Sequence, residues 1–292
     1  MDHDVFVWWA GLCVVSTLNL LAWSGSAADL QRRHRIGGPV EALQFGRWQL
    51  LLSAGYVLGC AYRSVFPVFD VQRMCLFDTW LSSVIVGRSV ATVAELCFAA
   101  QWALLLRGVA GQAGDRAVLR LACALLPLIV VAEVCSWHAV LTTSNLGHVL
   151  EESLWGLCAA GVSLSLLHLR RGCEPDLRRL LLFSGLAGLG YVLYMFSIDV
   201  PMYWARWVDD TEMGRNSLSL TQGAIDASTR WLVSHRWSDW QSEVVWMSLY
   251  FSTAVWVSIG LVHAPVKARY SPTLSADTTP VIALPGHAPG RQ

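Results

Sequence analysis

The sequence predicts an all-α, polytopic membrane protein built as a bundle of seven transmembrane helices. Two features of the composition predict this class: 54% of the 292 residues are hydrophobic and only 14% are charged. A soluble domain normally carries about a quarter charged residues. The third observation is a series of apolar runs close to the length of about 20 residues that a helix needs to cross a bilayer.

Seven segments of the chain have this length and character. In order they are 5–23, 48–66, 79–106, 118–141, 146–168, 179–200 and 241–263. The second carries Arg63 near its end, and the short segment Thr142–Asn145 predicts a tight turn between the fourth and the fifth. The spans predict a single transmembrane domain over 1–263, followed by a tail over 264–292. Five prolines in that tail predict disorder.

The first span is predicted to remain in the mature protein. A secretory signal begins with a basic segment, whereas this chain begins Met-Asp-His-Asp. The basic cluster of Arg32, Arg33 and Arg35 follows the span instead, which favours a retained helix whose N-terminus faces outward.

The distribution of basic residues predicts the same orientation. Fourteen of the 21 lie in one set of loops and six in the other, while Arg88 lies within a span. Cytoplasmic loops carry the excess of Lys and Arg, so the N-terminus is predicted outside and the C-terminus inside. The six on the outer side are Arg63, Arg73, Arg206, Arg215, Arg230 and Arg236.

The longest outer loop, 201–240, is rich in tryptophan. Because tryptophan prefers the headgroup level, this loop is expected to lie along the outer membrane surface. Its tryptophans are Trp204, Trp207, Trp231, Trp237 and Trp240. Ile225, Ser228, Trp231 and Leu232 recur at helical spacing. They predict an amphipathic helix over 224–233 that covers the mouth of a site.

The ionisable residues of the fourth and fifth spans lie in their outer halves. At 1.5 Å per residue, the two histidines lie about 5–6 Å below the turn and the three glutamates about 9–13 Å below it. These residues are His138, His148, Glu133, Glu151 and Glu152. Adjacent antiparallel helices can bring them into one pocket. A carboxylate deep in a span costs a few kcal/mol and marks a functional candidate.

The third span adds a second polar face. Arg88, Thr92 and Glu95 share one side of their helix by their spacing of four and seven residues. The predicted site therefore has Glu133, His138, His148, Glu151 and Glu152 as catalytic candidates. Glu95 and Arg88 are predicted to support them or to bind an anion.

Two chemistries remain open for this set. His138, His148, Glu151 and Glu152 offer ligands for a divalent metal such as zinc, iron or manganese. Without a metal, a carboxylic acid could act as general acid and a histidine as base. The single lysine, Lys267, lies outside the spans and excludes a retinal-type Schiff base within the membrane.

Three functions fit these predictions. The first is a membrane-embedded enzyme for a lipid or another lipophilic substrate, and the second is a transporter or proton-coupled carrier for a cationic ligand. The third is an assembly or receptor protein whose charges only fix the helices. The partners expected are the lipid bilayer and a lipophilic or cationic small molecule. Nucleic acid is not expected, because 21 basic residues balance 21 acidic ones. The location expected is the plasma membrane, or the inner membrane of a bacterium.

Overall fold

The computed structural model describes residues 1–37 and 40–264, which form a bundle of long helices with a small cap at one end. The first six helices are α1 (His3–Arg35), α2 (Val40–Val65), α3 (Val84–Ala113), α4 (Arg116–Thr142), α5 (Asn145–Leu169) and α6 (Pro175–Tyr194). The others are α7 (Val200–Glu212), α8 (Leu220–Thr229), α9 (Trp237–Leu249) and α10 (Val255–Val262). The predicted tail lies outside the described residues, except for Ala264.

Six helical segments are long and apolar enough to cross a membrane. They are His3–Arg35, Val84–Ala113, Arg116–Thr142, Asn145–Gly172, Pro175–Glu212 and Trp237–Val262. The chain is therefore an integral, multi-pass membrane protein whose apolar helix surfaces contact lipid. The predicted all-α membrane bundle is confirmed at this level.

Helix α2, where the sequence predicts the second span, is not among these six. Its first half is polar, yet it packs between α1 and α3 and also against α10. The Trp9 indole donates a hydrogen bond to the carbonyl of Val65, and the Trp23 indole donates to the carbonyl of Leu50. These contacts at opposite ends of α2 show that it runs antiparallel to α1.

Buried amides hold α2 in the bundle. The Gln49 side chain donates to the carbonyl of Gln101 at 3.0 Å, and the Gln101 side chain donates back to the carbonyl of Gln49 at 3.1 Å. Gln101 also donates to the Ser258 carbonyl and accepts from the Ser258 hydroxyl. This amide network (Gln49, Gln101, Ser258) ties α2, α3 and α10 together and satisfies most of its own polar groups.

The first and last described residues lie at opposite ends of α1. Asp2 donates its backbone N–H to the His235 carbonyl, and its carboxylate accepts from the Trp237 backbone N–H. At the other end, His263 lies 2.9 Å from the hydroxyl of Ser26. The start of the chain and the start of α9 therefore share one end of the bundle, and α10 finishes at the other.

The sixth and last bundle helices each contain a π-helical turn. Met195–Asp199 joins α6 to α7, and Tyr250–Ala254 joins α9 to α10. The prediction that 201–240 is a loop is wrong at its beginning, because the helix continues to Glu212. Pro201 would break a straight helix, but here it stands at the start of α7, just after the π turn. Directly after the π turn the regular i→i−4 bonding is already interrupted, so a residue without an N–H disturbs the helix less at this point.

A small cap covers the end of the bundle near the N-terminus. Strands β1 (Val68–Phe69), β2 (Met74–Cys75) and β3 (Leu232–Val233) form a sheet in which β1–β2 is antiparallel and β2–β3 parallel. Arg73, 1% exposed, donates to the Asp226 carboxylate and to the carbonyl of Val140. Arg73 thereby links the sheet to α8 and to α4. This end of the molecule is called the cap end below.

The predicted helix over 224–233 exists in a shifted position. It ends at Thr229, so Trp231 and Leu232 lie beyond it. Gly223 and Ala227 form its buried face, since an added Cβ at Gly223 would lie 1.7 Å from the carbonyl oxygen of Leu141. The helix packs on the ends of α3 and α4, and none of its residues lines the cavity described below. The prediction that it covers the mouth of the site is wrong.

Candidate functional site

A cavity of about 560 Å³ extends from the cap end into the bundle. Its volume lies within the range of small-molecule sites. The part near the cap is polar and aromatic, lined by Arg63, Asp70, Arg88, Glu95, His148, Glu151, Glu152, Tyr203, Arg206 and Glu243. The deeper part is apolar, lined by Phe98, Leu125, Ile129, Cys158, Val162 and Leu166 among others. Ile129 lies about one helical turn deeper than Glu133, and Val162 about 16 Å deeper than Glu151.

Close packing of α4 and α5 positions the polar part. Helix α4 ends at Thr142, the next residue Thr143 has a φ of 58° in the left-handed region, and α5 begins at Asn145. Gly147 then permits a close approach, because an added Cβ would lie 2.5 Å from the carbonyl oxygen of Cys135. The predicted tight hairpin is present, and it brings the carboxylates of the two helices to similar depths.

At the centre of the polar part, one guanidinium nitrogen meets three carboxylates. Arg88 Nη2 donates to Glu95 at 3.0 Å, to Glu133 at 2.6 Å and to Glu151 at 3.0 Å. All four side chains are buried. They come from α3, α4 and α5, so this carboxylate cluster (Arg88, Glu95, Glu133, Glu151) connects three helices through charge-assisted hydrogen bonds.

Neutral side chains extend the cluster. The Thr92 hydroxyl donates to Glu133 at 2.7 Å and accepts from the Trp137 indole at 3.0 Å. The Tyr250 hydroxyl donates to Glu95 at 3.0 Å from the π turn of the last helix. Arg88, Thr92 and Glu95 share one helix face as their spacing predicts.

His148 and Glu151 form a pair at the edge of the cluster. His148 Nδ1 lies 2.7 Å from Glu151 Oε2, and its ring packs against Tyr203 with the ring centroids 4.9 Å apart. His148 lines the cavity, and its Nε2 has no hydrogen-bond partner among the residues that the structure describes. A carboxylate on one ring nitrogen fixes the tautomer and leaves the other nitrogen free for proton transfer.

Glu152 differs from its neighbour Glu151. It lines the same cavity, but no side chain or backbone group in the described part of the chain donates to it. Adjacent residues on a helix point about 100° apart, which explains why Glu151 enters the cluster and Glu152 does not. Glu152 is therefore a carboxyl group that faces the cavity without a partner.

The structure does not bring His138 to the site. Its side chain is exposed, and it does not line the cavity. His138 lies five residues after Glu133, which is about 140° around the helix. Since Glu133 faces the cluster, His138 points out of the bundle. The predicted convergence of His138 with His148 is wrong for this reason.

Among the described residues, the carboxylates that lie close enough together to share a metal ion are not the predicted metal ligands. One carboxylate oxygen each from Glu95, Glu133 and Glu151 lies within 4.8 Å of the others. Arg88 Nη2 already bonds to all three. A metal ion at this point would compete with the Arg88 guanidinium, so these carboxylates suit an arginine better than a metal ion. His148 and Glu152, from the predicted set, remain at the cavity wall without His138.

One positive charge faces three carboxyl groups in the cluster. Ionised carboxylates are costly in a medium of low dielectric unless they are neutralised. The cluster therefore carries net negative charge unless it takes up protons or a cation. Two of its own atoms, Arg88 Nε and Glu133 Oε1, are buried without a partner in the described structure.

Sequence reasoning missed several residues of the cavity. Arg206 lies 3.5 Å from Glu243 and stacks over Phe69 and Tyr203. Tyr203 and Arg206 belong to the segment predicted as a loop, and Tyr250 is uncharged, so a search for charges within spans passes over all three. The two π turns beside Tyr250 and Asp199 are of a type often found at functional sites, but the sequence carries no clear signal of them.

Comparisons with known proteins give no family for this chain. No protein-family model, no curated protein and no solved structure matches it.

Proposed function

We propose that this protein is a membrane-embedded enzyme that transfers protons on a lipid or another lipophilic substrate. The observation that carries the proposal is the pairing of His148 with Glu151 at the polar end of a cavity whose deeper part is apolar. Such a cavity suits an amphiphile whose polar end lies beside His148 and whose apolar part lies toward Leu166. The bilayer that surrounds the protein dissolves such a substrate.

The proton chemistry uses His148 and its partner Glu151. His148 Nε2 accepts a proton from the substrate, and Glu151 stabilises the imidazolium that forms. The same imidazolium then returns the proton to another atom of the substrate, which leaves both residues as they began. Arg88 and Tyr250 are positioning residues, because they hold Glu151 and Glu95 in place through hydrogen bonds.

We also propose seven crossings, with the cap end and the N-terminus outside. The opposite positions of Asp2 and His263 along α1 support this, because an odd number of crossings separates the two ends. Helix α2 then crosses as well, held by the amide network. The excess of basic residues in the loops at the other end supports the orientation. Labelling of single cysteines placed at Asp2 and at Glu174 tests it: only the first should react from outside, and reaction of both would contradict the topology.

A lateral path supports a lipophilic substrate. Helix α6 packs mainly against α5, and α10 packs mainly against α2, and residues of both helices line the cavity. Some of these lining residues are exposed, namely Ala187 and Gly190 of α6 and Val257 of α10. We infer that a molecule dissolved in the bilayer reaches the cavity between α6 and the last helix.

The test is lipid conversion in proteoliposomes that contain the purified protein and a bacterial lipid extract. We expect one lipid class to change in mass or in retention time, as measured by untargeted lipid mass spectrometry. Replacing His148→Asn should slow the conversion about 10²–10⁴-fold, the usual contribution of a general base.

His138→Asn is the matched control, because it makes the same change on the neighbouring helix at an exposed position. It should convert lipid as fast as the natural chain. Equal rates for the two histidine variants, or no conversion by the natural chain, would count against the enzyme.

The excess of carboxyl groups favours a second candidate, a proton-coupled carrier. Its weakness is that the deeper part of the cavity is lined mainly by apolar residues and carries no charged one. A pH-sensitive dye trapped inside the same proteoliposomes distinguishes the two functions. When the external buffer is acidic, a carrier acidifies the interior, whereas an enzyme converts lipid without changing the internal pH.

A further inference from the structure

The acidic residues that line the cavity exceed the basic ones. Five are carboxylic, namely Asp70, Glu95, Glu151, Glu152 and Glu243, against the three arginines Arg63, Arg88 and Arg206. Each arginine already faces a carboxylate: Arg88 bonds within the carboxylate cluster, Arg206 lies 3.5 Å from Glu243, and Arg63 lies 3.8 Å from Asp70. Arg63 Nε, Arg88 Nε and Arg206 Nη1 still have no hydrogen-bond partner in the described structure, but the carboxyl groups of the cavity outnumber its arginines by five to three.

The carboxyl group that remains is Glu152. Three tyrosines line the same cavity, namely Tyr191, Tyr194 and Tyr203. Aromatic faces beside an acidic group are the usual means by which proteins bind an ammonium ion. Tyr203 already packs its ring against Arg206, which shows that this ring accepts a cation.

The deeper, apolar part of the cavity indicates the chemical character of the rest of the ligand. Around Ile129, Val162 and Leu166 the lining offers mainly methyl and methylene groups, with Ser163 as a neutral polar residue and no charge. A ligand that fills both parts has a positively charged head and a long hydrocarbon chain.

We propose that the ligand is a lipophilic amine, with its ammonium group at Glu152 and its chain in the apolar part. The proposal rests on the proposed function, since it names the substrate class for the same site. It adds a role for Glu152 as the residue that determines specificity for a positive head. An alcohol or a fatty acid of equal chain length lacks the charge that Glu152 complements.

The experiment compares hexadecylamine, hexadecanol and hexadecanoic acid at pH 7. The purified full chain in detergent is offered an equimolar mixture, and bound species are counted by native mass spectrometry. We expect the amine to bind about tenfold more than the alcohol, a preference that a cation beside aromatic rings and a carboxylate can supply. The acid should bind least.

Glu152→Gln should remove the preference and leave alcohol binding unchanged. Because Glu152 has no described hydrogen bond to lose, the variant should unfold at the same temperature as the natural chain. Glu212→Gln, at an exposed carboxyl near the end of α7, is the matched control and should keep the preference.

A second variant tests the location. An added Cβ at Gly190 meets no atom within 4 Å, so Gly190→Trp places its ring in open space beside the cavity. It should lower binding of all three probes alike, whereas Glu152→Gln acts on the amine alone. Equal binding of amine and alcohol by the natural chain, or a preference that survives Glu152→Gln, would overturn the proposal.

The outcome is independent of the enzymatic test. If the natural chain converts no lipid but His148→Asn still prefers the amine, the proposed enzymatic function is wrong and the proposed ligand class stands. If the natural chain converts a neutral lipid but shows no preference for the amine, the enzymatic function stands and the ligand class is wrong.

Discussion

Two buried polar networks share helix α3, and they differ in charge. The amide network joins Gln49, Gln101 and Ser258 through neutral hydrogen bonds, some of them reciprocal. Along α3, the carboxylate cluster lies nearer the cap end, and its closest member, Glu95, is about 9 Å from Gln101. The cluster gathers three carboxylates around one arginine at the wall of a cavity. A neutral network that satisfies itself needs no ligand, whereas an unbalanced one beside a cavity is prepared to exchange protons or to bind a cation.

The largest effect is expected from Arg88→Met. Removing the only cation within the described cluster leaves three buried carboxyl groups facing one another, and loss of one partner from a buried ion pair costs about 3–5 kcal/mol. The measurement is the thermal unfolding midpoint in detergent, which should fall sharply.

A compensated variant makes this result interpretable. Arg88→Met combined with Glu95→Gln, Glu133→Gln and Glu151→Gln removes the charges as well and should regain most of the stability. A single variant as stable as the natural chain, or no recovery in the combination, would show that charge is not what distinguishes the cluster from the amide network.

A smaller effect is expected from Gln101→Leu in the amide network. The substitution leaves the Gln49 and Ser258 carbonyls without their donor, at a cost of about 1–3 kcal/mol. Because this network lies outside the cavity, stability should fall while the preference for hexadecylamine stays the same. The control is Gln112→Leu, an exposed glutamine of the same helix. A changed preference in Gln101→Leu would mean that the two networks are coupled.

The smallest effect is expected from Asp226→Asn in the cap, where one buried arginine meets one carboxylate. Burial raises the pKa of Asp226, but hydrogen bonds from Arg230 and Arg73 outweigh it and hold the pKa below its ordinary value. The charged form is thus stabilised by folding. Its contribution is present above the ordinary pKa and is lost as the pH falls through the lowered pKa.

At neutral pH we expect Asp226→Asn to lower the free energy of unfolding by about 1 kcal/mol, because the new amide oxygen still accepts from Arg73. The difference from the natural chain should shrink as the solution becomes acidic. Arg230→Gln, at an exposed position, should change stability little. A difference that grows on acidification would contradict the assigned direction.

Local patterns predicted the pairs that lie within one helix. His148 and Glu151 meet because three residues bring side chains onto the same side, and Arg88 meets Glu95 two turns along α3. The contact of Arg88 with Glu133 joins residues from two helices, and no pattern within either one defines it. His138 shows the limit most clearly, because its depth along α4 is close to the predicted one but the rotation of the helix turns it outward.

The sequence by itself determined the membrane class, the approximate bounds of most of the long helices and the position of each charged residue of α3, α4 and α5 along its own helix. These properties follow from local composition and from the fixed rise of a helix, and they need no knowledge of neighbours. Only the tertiary structure decided which carboxylates converge on Arg88, which one faces the cavity alone, and how α7 and Tyr250 join the site. Those outcomes depend on the rotation of each helix about its axis and on its choice of neighbours, which the packing of the whole bundle sets at once.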